Sequence, residues 1–449
     1  MTPEQNELLK TVYRNLADRP LEPDDAFYEP IYKLNPDTDE PVDRMQKKID
    51  WAEGQSIQFF SGFRGAGKTT ELKRLQQRLE QGGCLVIFAN ALDYINPSAR
   101  IDITDLLPVL AGAFSDRLKN PPGGKPLLHE SYWTRFKAFL TRTKVEMEEV
   151  TLSAGEEVGA EIKLAMRTNP TFRQQIQKAL SAHLTGLRQE TTRFFEDAVK
   201  AIRAQTGDDK KIVFIFDSLE QVRGSLSNET EVIRSVESLF SNHLDALRLP
   251  YLHVVYTVPP WLKFLLKNLS VEIIPSVRQW LHDTQRTPDP TGNAALQRAL
   301  ERRLKVEGFG AEPVGQVLGQ TWPVKASPAS LLVASCGGHF RDLFLLLREA
   351  LVRARTLPLA EAAVEESIAW VRRNFLPLAI EDARWLARIA DTRHPSYESA
   401  DDAGRLARFL DTHIVLYFSD REEWYDVHPL VRPEVDRILK LQAAAKPSG

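Results

Sequence analysis

Five short apolar runs stand out along the first part of the chain, each bounded by turn or charged residues. They are Ser56-Ile57-Gln58-Phe59-Phe60, Cys84-Leu85-Val86-Ile87-Phe88-Ala89, Lys211-Ile212-Val213-Phe214-Ile215-Phe216, Leu252-His253-Val254-Val255-Tyr256-Thr257 and Val271-Glu272-Ile273-Ile274. Continuous rather than alternating apolar runs predict strands buried on both faces, as in a parallel sheet. Between them the period shifts to helical, as in Glu71-Leu72-Lys73-Arg74-Leu75-Gln76-Gln77-Arg78-Leu79. Strands alternating with helices predict an α/β fold with a doubly wound parallel sheet.

The long stretch between the second and third runs has its own pattern. Pro121-Pro122-Gly123-Gly124 marks a break, and Val145 to Met166 alternates and carries Gly155 and Gly159, which predicts a β-hairpin. From Phe172 to Gln205 a stripe of Phe172, Ile176, Leu180, Leu184, Leu187, Thr191, Phe194, Ala198 and Ile202 predicts one helix, about 50 Å long. Such a helix either packs along the core or serves as an arm for a partner. From Asn293 the pattern is helical, with an amphipathic piece to Val306 and a helix pair over Ser327–Arg355 broken at Gly337-Gly338. The last part holds several helices and a hairpin: Ile414-Val415-Leu416-Tyr417-Phe418, the turn Ser419 to Glu423, then Trp424-Tyr425-Asp426-Val427. Helices followed by a two-stranded wing suggest a winged helix. The expected organisation is an N-terminal segment (1–50), an α/β core (51–285) with an insertion at about 121–205, a helical lid (286–358) and a winged-helix domain (359–449).

Composition adds limits. With 449 residues, 43% hydrophobic and 27% charged, the chain can bury a large core in two to four structural units. A formal net charge of −3 gives no global basic field for nucleic acid. The two cysteines, Cys84 and Cys336, lack C-x-x-C spacing, which argues for a reducing compartment and against structural zinc. Met1-Thr2-Pro3-Glu4-Gln5 is polar, and the most apolar stretch, Leu249 to Ile274, is interrupted by His253, Pro259, Pro260, Lys263 and Lys267. The expectation is a cytoplasmic protein without a membrane span.

The candidate chemistry begins where the first strand ends. Gly62-Phe63-Arg64-Gly65-Ala66-Gly67-Lys68-Thr69, followed by Thr70, fits the phosphate-loop pattern G-x-x-x-x-G-K-[ST] at every fixed position. The glycines let the backbone turn its N–H groups toward phosphate oxygens. Lys68 supplies charge for the β- and γ-phosphates, and the Thr69 hydroxyl can ligate Mg²⁺. The helix that follows adds its positive N-terminal dipole. The third strand ends in Asp217, the acid-after-apolar-run of a Walker B strand, which would reach the metal through water. Glu220, in Asp217-Ser218-Leu219-Glu220, is the candidate that orients a hydrolytic water. Thr257, at the tip of the fourth strand, either senses the γ-phosphate or caps the strand end.

With these residues the chain resembles P-loop ATPases of the AAA+ and STAND groups. Ser335-Cys336-Gly337-Gly338-His339-Phe340-Arg341-Asp342-Leu343 is similar to the second sensor of AAA+ proteins, especially origin-recognition-type ATPases, in which a Gly-Gly turn starts a lid helix. The resemblance implies that Arg341 reaches the phosphates and couples the lid to nucleotide state. Asp217-Ser218-Leu219-Glu220 also resembles the acid strand of NACHT and NB-ARC switches, and Val427-His428-Pro429-Leu430 stands where their Met-His-Asp motif contacts ADP. It implies His428 as an ADP sensor, with Pro429 departing from the family's Asp. AAA+ rings place an Arg finger shortly before the fifth strand, but Trp261 to Ser270 contains none, and Arg278 lies past the strand. No N-K-x-D run appears, so ATP is favoured over GTP.

The resulting expectation is a slow ATPase that works as a regulatory switch, with ATP or ADP and Mg²⁺ as ligands. Its partners would be a separate effector or sensor protein, or further copies of the chain in a nucleotide-dependent oligomer. The alternative is an origin-recognition-like ATPase that binds duplex DNA through its winged helix. The acidic turn Asp420-Arg421-Glu422-Glu423 speaks against it, and Arg405 and Arg408 speak weakly for it.

Overall fold

The computed structural model describes residues 1–32, 39–119, 125–128, 131–143, 157–225, 227–266, 269–283, 285–306, 313–319, 327–395, 400–420 and 422–445. The chain forms two compact units, one of residues 42–61 and 72–272, the other of residues 1–41, 62–71 and 273–449.

The first unit is built on a sheet of strands β1 (Ser56–Gly62), β2 (Leu85–Asn90), β3 (Ile212–Asp217), β4 (His253–Thr257) and β5 (Val271–Ile274), in the order β2-β3-β4-β1-β5. The pairs β1–β4, β2–β3 and β3–β4 are parallel, with Asn90 opposite Asp217 and Phe60 opposite Thr257. Every residue of β3 and β4 is buried, which is why their apolar runs do not alternate. Helix Ile103–Lys119 is buried nearly all round and sets Phe114 edge-on against Phe195 and Phe214, at centroid distances of 5.2 and 5.3 Å. Helix Pro41–Trp51 is tied to its surroundings by charge. Arg44 and Lys48 hold Glu272, and Lys211 Nζ donates to the carbonyls of Ile49 and Ala52 near the helix end, where a cation also offsets the dipole.

Two expectations for the insertion are corrected. Glu157–Thr168 is a helix rather than part of a hairpin, and Ile162, Ala165 and Met166 bury one helical face. The rest of the expected hairpin, residues 145–156, lies outside the described residues, as does the Pro121–Gly124 break. The long helix is two: Pro170–Ser181, N-capped by Asn169, and Leu184–Thr206. Between them His183 leaves the helical region (φ −120°, ψ 23°) while its N–H still bonds the Leu180 carbonyl. The interruption is short enough that the stripe resumes in phase at Leu187. Both helices pack on Ile103–Lys119 inside their unit, so the stripe is core rather than a free arm.

In the second unit helix Pro290–Leu304 leads to helices Pro328–Ser335 and Phe340–Arg353, which join through Gly337 and Gly338. Both glycines are left-handed (φ 63° and 73°), and a Cβ at Gly338 would run into the Val277 backbone. Further on, helices Ile380–Thr392 and Ala400–Asp411 precede the antiparallel pair β6 (Val415–Ser419) and β7 (Glu423–Val427), then helix Arg432–Ala445. Asp426, fully buried on β7, is held by Arg286 Nε and Nη2 at 3.0 and 2.9 Å and by Arg393.

Candidate functional site

The phosphate-loop motif sits where the sequence predicts, between β1 and helix Lys68–Gln81. Gly65 and Gly67 both have φ of 89°, a conformation L side chains rarely adopt, which is the physical reason for glycine there. Lys68 Nζ, buried, donates to the carbonyls of Gly62 and Phe63 at 3.0 Å each. The ammonium is thereby held over the loop rather than in solvent. Thr69 is half-buried at the head of the helix, and Thr70, buried, uses its hydroxyl to accept the Leu21 N–H at 3.0 Å.

Arg341 comes to this loop, on the first turn of helix Phe340–Arg353. A Cβ built on Gly65 would lie 2.7 Å from Arg341 Cβ and 2.8 Å from its Nε, so the arginine stem lies directly on that glycine. The guanidinium pairs with Asp18, Nη2 to Oδ2 at 2.6 Å. The Gly-Gly turn aims this helix, and His339, its N-cap residue, donates from Nε2 to the Arg64 carbonyl at 2.9 Å. The loop is further held by the N-terminal segment: the Tyr32 hydroxyl donates to the Ala66 carbonyl, and that of Tyr28 meets Glu71 Oε1 at 3.1 Å.

Asp18, Tyr28, Tyr32 and His339 were not singled out from the sequence. The first three lie in a polar segment without periodicity. His339 lies inside the quoted Gly-Gly motif, where a histidine next to a helix-starting turn could have drawn attention.

In the sheet unit the candidate acids gather at one strand end. Asp217 is 1% exposed at the tip of β3, and its Oδ1 accepts the Ser218 N–H at 2.7 Å. Ser218 is left-handed (φ 70°) and turns the chain into a short 3₁₀ segment carrying Glu220, 5% exposed. Thr257 is fully buried at the end of β4, and its hydroxyl accepts the Leu219 N–H at 3.0 Å. That bond ties the loop bearing Glu220 to β4.

His428 is completely buried before the last helix, with Nδ1 accepting the Leu430 N–H at 3.2 Å and Nε2 lying 3.0 Å from Asp342 Oδ2. A Cβ on Gly337 would come within 3.0 Å of its ring, so it backs the Gly-Gly turn. Of the two arginines weighed for DNA, Arg405 pairs with Asp382 and Asp402, and Arg408 with Asp382. Arg278 pairs with Asp289 and Asp420, and Arg421 lies outside the described residues. Among the described residues no helix is long and apolar enough to cross a membrane.

No protein-family model and no curated protein matches the chain. Among solved structures it is similar to the Aeropyrum pernix ORC2 protein in its ADP form, with 11% identity, TM-score 0.40, and 96% of this chain and 98% of that one covered. The ADPNP–ADP complexes of the same protein give a TM-score of 0.39 at 11% identity and the same coverage. Cdc6p from Pyrobaculum aerophilum follows at 12% identity and TM-score 0.32, covering 90% of this chain and 93% of that one. Scores and identities this low leave the site to be read from the chain's own residues.

Proposed function

We propose that the chain binds and slowly hydrolyses ATP, and that the bound nucleotide controls its conformation. One observation carries the reading: a complete phosphate-loop motif runs from a buried parallel strand into a helix N-terminus and has a cationic side chain, Arg341, laid on its central glycine. The residues suit the ligand. Two left-handed glycines shape the loop, Lys68 is held by carbonyls that phosphate oxygens can replace as its partner, and Thr69 offers a hydroxyl at the helix head. In this reading Thr69 and, through water, Asp217 hold Mg²⁺, which neutralises phosphate charge. Glu220 orients the attacking water, and Arg341 exchanges Asp18 for a phosphate oxygen. His428 acts at one remove, by supporting the turn that aims Arg341. No Arg finger precedes the fifth strand, so the reading is a switch rather than a ring motor.

The direct test is equilibrium binding of ATP and ADP with Mg²⁺, for wild type and Lys68→Ala. Micromolar or tighter binding lost by at least ~30-fold in the variant is expected, since a charge-assisted contact of about 2 kcal/mol or more is removed. Equal, weak binding by both proteins would overturn the proposal.

A further inference from the structure

We propose that His339, Asp342 and His413 form a site for one divalent transition-metal ion of the zinc class. Asp342, 3% exposed on the first turn of helix Phe340–Arg353, is met at the same oxygen by three imidazoles. His339 Nδ1 is 3.2 Å from Oδ2, His413 Nε2 3.0 Å and His428 Nε2 3.0 Å. The ligand-bearing atoms of His339, Asp342 and His413 all lie within 4.8 Å of one another. None of the three imidazole contacts to Oδ2 has hydrogen-bond geometry.

Backbone partners settle which nitrogens are bare. The Arg64 carbonyl can only accept, so His339 Nε2 carries the hydrogen and Nδ1 of the neutral ring is a lone pair. The Leu430 N–H can only donate, so His428 Nδ1 is bare and its Nε2–H faces the carboxylate. His428 thus turns an N–H toward Asp342, while His339 presents a lone pair to a carboxylate oxygen. Two acceptors at 3.2 Å repel unless a cation lies between them. Among the described residues no Lys or Arg pairs with Asp342, and a buried carboxylate needs a compensating charge.

The dimensions fit zinc. With metal–ligand bonds of about 2.0–2.2 Å, tetrahedral ligand atoms stand roughly 3.3 Å apart, close to the 3.2 and 3.0 Å that separate Asp342 Oδ2 from His339 and His413. The outer contacts resemble those of metal-bound histidines: His339 is oriented by a backbone carbonyl, and the Nε2 of His428 lies 3.0 Å from the carboxylate. The side chain of His413 is 17% exposed, which leaves a way in for the ion and room for a water in the fourth position.

The test is a titration of the tag-free full chain, stripped with chelator and free of nucleotide, with Co²⁺ followed by visible absorption. The expected result is saturation near one equivalent, with the intense bands of four-coordinate cobalt, reversed by one equivalent of Zn²⁺. Asp342→Asn and His413→Gln are each expected to weaken Co²⁺ binding by ~100-fold while His282→Gln leaves it unchanged. Absence of a saturable band in wild type, together with no retained zinc by elemental analysis, would overturn the proposal whether or not the variants fold. It would assign the cation between His339 and Asp342 as a proton. Equal binding by wild type and both variants would overturn it as well.

Discussion

Glu220 and Asp105 are both buried acids of the sheet unit, and they make opposite predictions. Glu220 is placed by a left-handed Ser218 and by the Thr257 hydroxyl, a costly local arrangement that fits a positioned side chain better than a solvated one. Glu220→Gln is expected to keep ATP affinity within a factor of about 3 while single-turnover hydrolysis falls by about 10²-fold or more. Unchanged turnover would remove Glu220 from that role. Asp105, near the start of helix Ile103–Lys119, accepts from the Asp102 N–H and from Gln177, but burial outweighs these bonds and pushes its carboxyl up to about 6. The folded chain therefore keeps a proton that the unfolded chain releases near 3.8, and stability falls as pH rises between these two values. Asp105→Asn is expected to gain about 2 kcal/mol at pH 7 and to flatten the slope of denaturation midpoint between pH 4 and 6.

At the scale of elements, the Gly-Gly turn and the buried β7 charge are the sensitive joints. Gly338→Ala places a methyl against the Val277 backbone in a left-handed residue. It is expected to cost more than about 2 kcal/mol in chemical denaturation and to displace Arg341 from Gly65, lowering nucleotide affinity along with stability. Asp426→Ala leaves Arg286 and Arg393 without their shared carboxylate and is expected to cost about 3–5 kcal/mol. The five strands were legible because each is a short, mostly apolar run that does not alternate, the pattern that burial on both faces demands of β3 and β4. The helix pair around Gly337-Gly338 and the terminal hairpin were legible for a similar reason, their turn residues standing between periodic segments. The break at Ala182-His183 was not, because it leaves the apolar stripe in phase. The start signal Asn169-Pro170 was there to be read. Glu157–Thr168 misled because Gly159 and alternating polarity outweighed the 3-4 spacing of Ile162, Ala165 and Met166. Among the candidate residues, Lys68, Asp217 and Arg341 belong to local motifs, whereas Asp18, Tyr32 and His413 reach their partners across long stretches of chain that no local pattern encodes.

For the whole molecule, the chain's path is informative. It leaves the sheet unit at Gly62, runs through the phosphate loop as part of the other unit, and returns at Leu72. A ligand gripping residues 62–69 thus acts on a segment grouped with the N-terminal segment and the C-terminal helices. Size-exclusion chromatography with ADP and with a non-hydrolysable ATP analogue is expected to give different elution volumes, through a change in shape or in self-association. Identical profiles at saturating nucleotide would count against a switch. The Asp18–Arg341 pair has a further consequence for this equilibrium. Asp18 is half exposed and carries the kind of oxygen that Arg341 would otherwise offer to a phosphate. It is a tethered rival for the same guanidinium, present at a fixed effective concentration that no change in the medium dilutes. Every nucleotide that recruits Arg341 must first outbid it, so Asp18→Asn is expected to tighten binding by roughly 3–10-fold, with the gain shrinking as added salt screens the original pair.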